Sequence, residues 1–460
     1  MAYANTSALT VDLNPLSNFN KKYILRISII SALGGMLFGF DTAVISGTIP
    51  FIQKYFRLDE VTLGWAVSSI LLGCGLGAML AGKIADALGR KLALFICAFL
   101  FAATGIGVAL AESLFIFTVF RIAGGISVGA VAMVVPMYIA ETSPAPFRGR
   151  MVALYQLAIV LGILLAYVAN YTLSDLGENS WRWMFAAQAI PAVIFFFALF
   201  LVPETPRWLI QKSQKEKAYN VLSKTGGQAY AEAALRSISN SFASQSAGNL
   251  KDLFLPQYSK VLFMGILIAS FQQITGINAV LYYAPEIFKS TGVSAAVAAI
   301  QTIAIGVTML VFTLVAIWLV DKVGRKKLLL AGCLVMVISL LAVATCFYLD
   351  FYQYYLVLIF LLIYIAGFSA SLGAVTWVIL SEIFPNRIRG LALSLVTLIL
   401  WLADFLASIS FPVLNKYLGT SATLALFAAF CLVYFVYLKF RVPETKGKTL
   451  EELEAQLINQ

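Results

Sequence analysis

Twelve long apolar runs constrain this chain more than any other feature. They fall near 24–49, 61–82, 92–111, 114–140, 151–172, 183–202, 260–288, 295–320, 328–349, 354–381, 390–415 and 420–440. About 20 apolar residues in a helix cross the hydrocarbon of a bilayer. Within lipid each backbone N–H and C=O must be bonded inside the protein, and unbroken apolar runs meet that demand only as helices. The runs therefore predict an all-α membrane protein with twelve transmembrane helices. Composition agrees: the chain is 61% hydrophobic and 12% charged, where a soluble domain is about half apolar and a quarter charged. Several runs exceed the necessary length, which predicts tilted or broken helices.

The formal charge of +10 would fit a nucleic-acid partner if the cations formed one patch. They do not. All but six of the 32 Lys and Arg lie in segments on the same side as the N-terminus. Lys54, Arg57, Arg182, Lys289 and Lys416 lie on the other side, and Arg121 lies inside a run. The excess of Lys and Arg in cytoplasmic loops then places both termini in the cytoplasm of a multi-pass protein of the plasma (inner) membrane. The partners expected are the lipid bilayer and a small solute, with no nucleic acid. Histidine is absent, which removes the usual zinc sites and any Ser-His-Asp triad. The five cysteines sit within apolar runs, as small packing residues do. No metal, cofactor or nucleophile–base set is expected, so the chain does not read as an enzyme. The polar start lacks the apolar core of a signal peptide.

The chain divides into a cytosolic tail (1–23), a six-helix half (24–202), a cytosolic linker (203–259), a second six-helix half (260–441) and a cytosolic tail (442–460). In the linker, Pro206 suits a first helical turn, and Thr225-Gly226-Gly227 separates two stretches of helical periodicity. Roughly 55 residues make a marginal core, so a linker of short helices is expected rather than a separate domain.

The halves repeat. Asp86-Ala-Leu-Gly-Arg90-Lys91 returns as Asp321-Lys-Val-Gly-Arg325-Lys326, 235 residues later. Glu141-TSPAPF-Arg148-Gly149 returns as Glu382-IFPNRI-Arg389-Gly390, 241 later, and Pro203-Glu204-Thr205 as Pro443-Glu444-Thr445, 240 later. Such duplication marks secondary transporters, whose solute site lies near the midplane between the repeats.

One carboxylate, Asp41, lies inside the first run, in GGMLFGFDTAVISGT (34–48). A charge at bilayer depth costs about 2.5–3.5 kcal/mol or more and is usually functional. Asp41 reads as a proton carrier past which a solute moves; the alternative is a helix-end Asp in water. Asp41 and Arg121 are each seven or eight residues from the outer end of their run, roughly 10–12 Å below the surface. Matched depth makes a buried pair plausible. Arg121 favours the ionised acid and burial the neutral one, so separating them would change proton affinity.

Together DALGRK and DKVGRKK, ETSPAPFRGR and EIFPNRIRG, PETPR and PETKG, with QQITGIN between them, resemble the sugar porter family of the major facilitator superfamily. FGFDTAVISGT is similar to the stretch in bacterial proton–xylose symporters. The resemblance covers about 24–455 and implies the major facilitator fold, alternating access, and proton-coupled symport of a monosaccharide, hexose or pentose. In the family's proton symporters the positions of Asp41 and Arg121 pair. A facilitative sugar uniporter is the nearest alternative, and a transporter-like sugar sensor an alternative of another class.

The resemblance places sugar contacts at Phe38, Gln156, Gln272, Gln273, Asn278, Tyr282, Trp377 and Trp401. Amides suit a neutral polyol because one planar group both donates and accepts. Met309, Ala374 and Leu400 depart from the family pattern, leaving the C-terminal half of the site less polar. Asp86, Arg90, Glu141, Arg148, Glu204, Asp321, Arg325, Glu382, Arg389 and Glu444 read as an ionic latch that pairs when the cytoplasmic side closes. Gly39-Phe-Asp41 aligns with Gly276-Ile-Asn278, 237 residues apart, which sets a titratable acid in one half against its neutral amide in the other. Asp404, where the family more often has Asn, is a second intramembrane acid, ranked below Asp41 because no intramembrane Arg stands beside it.

Overall fold

The computed structural model describes residues 19–244, 250–352, 355–385 and 388–447, with 452, 453 and 457. The first half begins with α1 (Lys21–Phe56) and α2 (Glu60–Leu88), capped by the side chains of Asn20 and Asp59. It continues with α3 (Arg90–Ala109), α4 (Leu114–Thr142) and α5 (Ala145–Leu173). The sixth span is divided into α6 (Ser180–Ala187) and α7 (Ala189–Ala198). In the linker, Thr205 caps α8 (Pro206–Gln211), and α9 (Lys215–Ser244) is broken at Gly226 and Gly227, where Gly227 takes φ 82.

The second half is less regular. Its first span is two helices, α10 (Pro256–Ile274) and α11 (Ile277–Lys289), separated by Gly276 at φ 88. Then come α12 (Ala295–Val323) and α13 (Arg325–Tyr348). The tenth span breaks at Ser371 into α14 (Leu356–Ala370) and α15 (Leu372–Ile383). The last two spans run as α16 (Arg389–Arg441), which turns back at Gly419, φ 80. Left-handed φ costs glycine nothing and other residues much more, so Gly276 and Gly419 can end one segment and start the next. The helix starting at Pro256 also shortens the expected linker, because proline at a first turn loses no hydrogen bond it could have made.

Within the first half, small residues bring backbones into contact. A Cβ on Gly39 would lie 1.8 Å from the Ile159 carbonyl oxygen of α5, and one on Gly162 2.1 Å from that of Met36. Between α2 and α4 the same holds for Gly73 against Ile122 and Gly129 against Cys74, each at 2.0 Å. Close backbone approach through small residues is how helices associate where lipid supplies no hydrophobic drive.

The halves meet along α2–α16, α5–α12 and α1–α11. Their tightest contacts lie towards the outside. A Cβ on Gly64 would come within 2.4 Å of the Ile409 carbonyl oxygen, Trp65 packs edge-on against Phe405, and Lys416 pairs with Glu60. The Tyr167 hydroxyl donates to the Leu281 carbonyl at 3.2 Å. At the cytoplasmic ends of α2, α5 and α16, nothing lies within 4 Å of a Cβ on Gly82, Gly149 or Gly390. The halves are closed against each other on the outer side.

Candidate functional site

The long first helix carries Asp41 to the centre of the N-terminal half, and α4 brings Arg121 to the same depth. Each is 2% exposed, and Arg121 Nη1 donates to Asp41 Oδ1 at 2.7 Å. The guanidinium also lies over the Phe185 ring, 5.4 Å from its centre. Gly124 leaves room for the acid: a Cβ there would be 3.2 Å from Thr104 Oγ1 and 3.6 Å from Asp41 Oδ2. Nε and Nη2 of Arg121 have no hydrogen-bond partner among the described residues. Removing one member of a buried pair typically costs about 3–5 kcal/mol, so this pair also constrains the fold. Phe185, Thr104 and Gly124 had no distinguishing signal in the sequence, where they read as ordinary lining of apolar helices.

On the other side of the interface the break at Gly276 presents amides. Gln272 is buried at the end of α10 and its Nε2 donates to the Leu372 carbonyl at 3.0 Å, which ties α10 to the break before α15. Asn278 Nδ2 donates to Gln273 Oε1 at 3.1 Å and to Asp404 Oδ2 at 2.6 Å. Ser408 Oγ donates to the other oxygen of Asp404 at 3.2 Å. Asp404 is fully buried. The link from Asn278 to Asp404 was invisible in sequence, because 126 residues separate them.

The aromatic wall is part of the same region. Phe38 and Trp401 stack at a tilt across the halves, with centres 5.7 Å apart. Tyr282 on α11 and Cys74 on α2 are buried within electrostatic reach of both Asp404 and Asp41. Gln156 is half-buried on α5, and Trp377 on α15 is 38% exposed. Met309 and Leu400 are buried apolar side chains.

The described pairs of the cytoplasmic charges lie within each half. Arg90 Nη2 lies 3.0 Å from both Asp86 and Glu141, all in the first half. Arg325 Nη2 pairs with Glu382 at 3.2 Å, both in the second. Glu204 accepts from the backbone N–H groups of Arg90 and Lys91, at 3.1 and 3.0 Å, and Glu444 does the same for Arg325 and Lys326, at 2.9 and 3.1 Å. These two acids cap α3 and α13, where the helix dipole favours an anion. The tight spaces explain the glycine before each Arg: Gly89 at φ 96 and Gly324 at φ 100 sit against the capping carboxylates. Arg148 and Arg389 donate through Nε to the carbonyls of Ala140 and Phe384. The Asp321 side chain lies outside the described residues. The pairs described for these motifs are internal to each half.

Residues 27–457 match the family of sugar (and other) transporters. The chain is 40% identical to the D-xylose-proton symporter of Escherichia coli (strain K12), over 95% of this chain and 96% of that one. It is 37% identical to the arabinose-proton symporter of Bacillus subtilis (strain 168), over 94% of each. Its fold resembles the inward open conformation of the xylose transporter XylE from E. coli, with a TM-score of 0.85 and 39% identity over 94% of this chain and 100% of that one. With the twelve-span fold, the duplicated motifs and the similarity all running over nearly its whole length, the chain belongs to the sugar transporter family of the major facilitator superfamily.

Proposed function

We infer that the protein is a proton-coupled symporter of a monosaccharide, a hexose or pentose, in the plasma (inner) membrane, working by alternating access. The observation that carries this reading is the buried Asp41–Arg121 pair in one half facing uncharged amides and aromatic rings in the other. A neutral polyol needs donors and acceptors without net charge, which Gln272, Gln273 and Asn278 supply, with Gln156 as a further candidate. Phe38, Tyr282, Trp377 and Trp401 offer apolar faces to a sugar ring. Asp41 accepts a proton when Arg121 withdraws and gives it up when the pair re-forms. Closing the cytoplasmic side would bring the charged clusters of Arg90 and Arg325 towards each other, and opening it would part them.

Purified protein in liposomes, given labelled D-xylose, L-arabinose or D-glucose, tests this. Accumulation of one sugar above its outside concentration under an imposed inward proton gradient is expected. Equilibration without accumulation would make the protein a uniporter. Absence of movement for all sugars would favour a sensor.

A further inference from the structure

We propose that Asp404 is a second proton-binding carboxyl, set in the C-terminal half, whose proton controls whether Asn278 is free to bond the solute. The proposal rests on the symport reading for its solute, but its central claim concerns only Asp404.

The geometry around Asp404 differs from that around Asp41. Its carboxyl is fully buried, 0% exposed, and its two described donors are neutral, the Asn278 amide and the Ser408 hydroxyl. Burying an ionised carboxylate costs several kcal/mol unless a cation or a full set of donors compensates. Among the described residues, no cation stands at its depth on the neighbouring helices. The charges of α10 and α13 are at their cytoplasmic ends, Lys260 and Arg325 to Lys327; that of α15 is Glu382, also cytoplasmic. On α11 they are Glu286 and Lys289 at the outer end, and on α2 Glu60, Lys83 and Asp86 near the two ends. The titratable groups that face it at depth are the Cys74 thiol of α2 and the Tyr282 phenol of α11. Arg121 is committed to Asp41.

The consequence falls on Asn278. An amide nitrogen has two N–H donors, and both are used here, one on Gln273 and one on Asp404. Ionised Asp404 can only accept, so it holds the amide against α16. A proton from the medium on Oδ2 turns that oxygen into a donor and releases one Asn278 N–H for a sugar hydroxyl. When the proton leaves to the cytoplasm, the carboxylate recaptures the amide and the sugar loses that bond. Asp41 has no such direct contact with the amides; Asp404 links proton and solute through a single hydrogen bond.

Two measurements test this on the full-length protein. In pH-difference infrared spectra without sugar, wild type is expected to show a protonated-carboxyl band that titrates with pH and disappears in Asp404→Asn. In calorimetry with D-xylose as the probe, the Asp41→Asn variant isolates Asp404. Its dissociation constant is expected to rise with pH, approaching about tenfold per unit for one linked proton. The Asp41→Asn/Asp404→Asn double variant is expected to be flat. A pH-independent affinity in the single variant, or no band attributable to Asp404, overturns the proposal. If Asp404→Asn does not fold, Ser408→Ala removes one donor from the carboxylate and must move the midpoint of the band; a fixed midpoint overturns it. If no variant binds or moves any sugar, the transport reading fails, while the infrared result still decides the role of Asp404.

Discussion

In the N-terminal half the intramembrane acid is bonded to a cation; in the C-terminal half it is bonded to an amide. Asp41 has Arg121 at 2.7 Å, and Asp404 has Asn278 at 2.6 Å. The backbones differ in the same direction. α1 runs unbroken past Gly39, whereas its counterpart breaks at Gly276 into α10 and α11. The first half is locked by glycines pressed on carbonyls; the second has interrupted spans with side chains in the gaps. A locked half suits a charge pair that must be held in low dielectric, where misplacement is expensive. An interrupted half suits solute binding, because helix breaks expose polar groups at mid-depth.

The largest effect expected from this contrast is on folding. A Cβ on Gly129 would lie 2.0 Å from the Cys74 carbonyl oxygen, whereas one on Gly373 meets a Phe368 ring edge at 3.2 Å. Gly129→Ala should therefore lose the folded protein, or several kcal/mol of stability, and Gly373→Ala should be nearly neutral in a thermal melt followed by tryptophan fluorescence. Equal losses would erase the difference in rigidity between the halves.

Next is coupling. One proton moving through 100 mV supplies about 2.3 kcal/mol, close to 50-fold accumulation. Asp41→Asn should cut gradient-driven accumulation in liposomes to what Asp404 alone couples, and Asp41→Asn/Asp404→Asn should bring it down to equilibration while sugar exchange continues. An Asp41→Asn variant that concentrates sugar as strongly as wild type would remove Asp41 from the coupling path.

The two capping glutamates provide a smaller and sharper test. Burial pushes the Glu204 carboxyl above its ordinary range, against the pull of the Thr205, Lys91 and Arg90 backbone donors. At Glu444 burial also acts upwards, but the donors from Lys446, Arg325, Thr445 and Lys326 outweigh it and hold the group low. A lowered folded value means stability that is present above the unfolded pKa and lost as pH falls through the folded one. A raised value means the reverse: stability falls as pH climbs through the ordinary range towards the folded value. Glu444→Gln should thus cost roughly 1 kcal/mol at neutral pH and nothing in acid, while Glu204→Gln should cost less or stabilise. Melting temperatures of both variants across the acid range check the sign.

The smallest effect concerns outer closure. Exposed pairs are worth about 0–1 kcal/mol, so Glu60→Gln should shift the outer-closed population by no more than about fivefold. Labelling of a single cysteine placed at the outer face of the Glu60→Gln variant would measure the shift, and high salt should reproduce it in wild type. A larger change would mean that Lys416–Glu60, rather than the Gly64–Ile409 contact, carries closure.

Much of this was legible in the chain because membrane burial writes itself into long apolar runs. Their number, their orientation and the acid–base pair at matched depth all follow from counting residues against bilayer thickness. The repeat also aligned Asp41 with Asn278, one acid and one amide. It did not reveal that Gly39 sits inside a helix and Gly276 ends one, since both are the same residue type in similar text. Nor did it distinguish charges that pair between halves from charges that stay within one. Glu204 and Glu444 read as latch members, and the sequence did not show that their carboxylates cap neighbouring helices from more than 110 residues away.

The amino-acid sequence by itself determined the twelve spans, the cytoplasmic termini, the duplication and the family, because these depend on residue type summed along a helix. Tertiary structure alone decided which helices break, which side of the protein is closed, and that Asn278 spends its donors on Gln273 and Asp404. Those outcomes depend on distances of a few ångströms between residues far apart in the chain, where a hydrogen bond forms or fails within half an ångström.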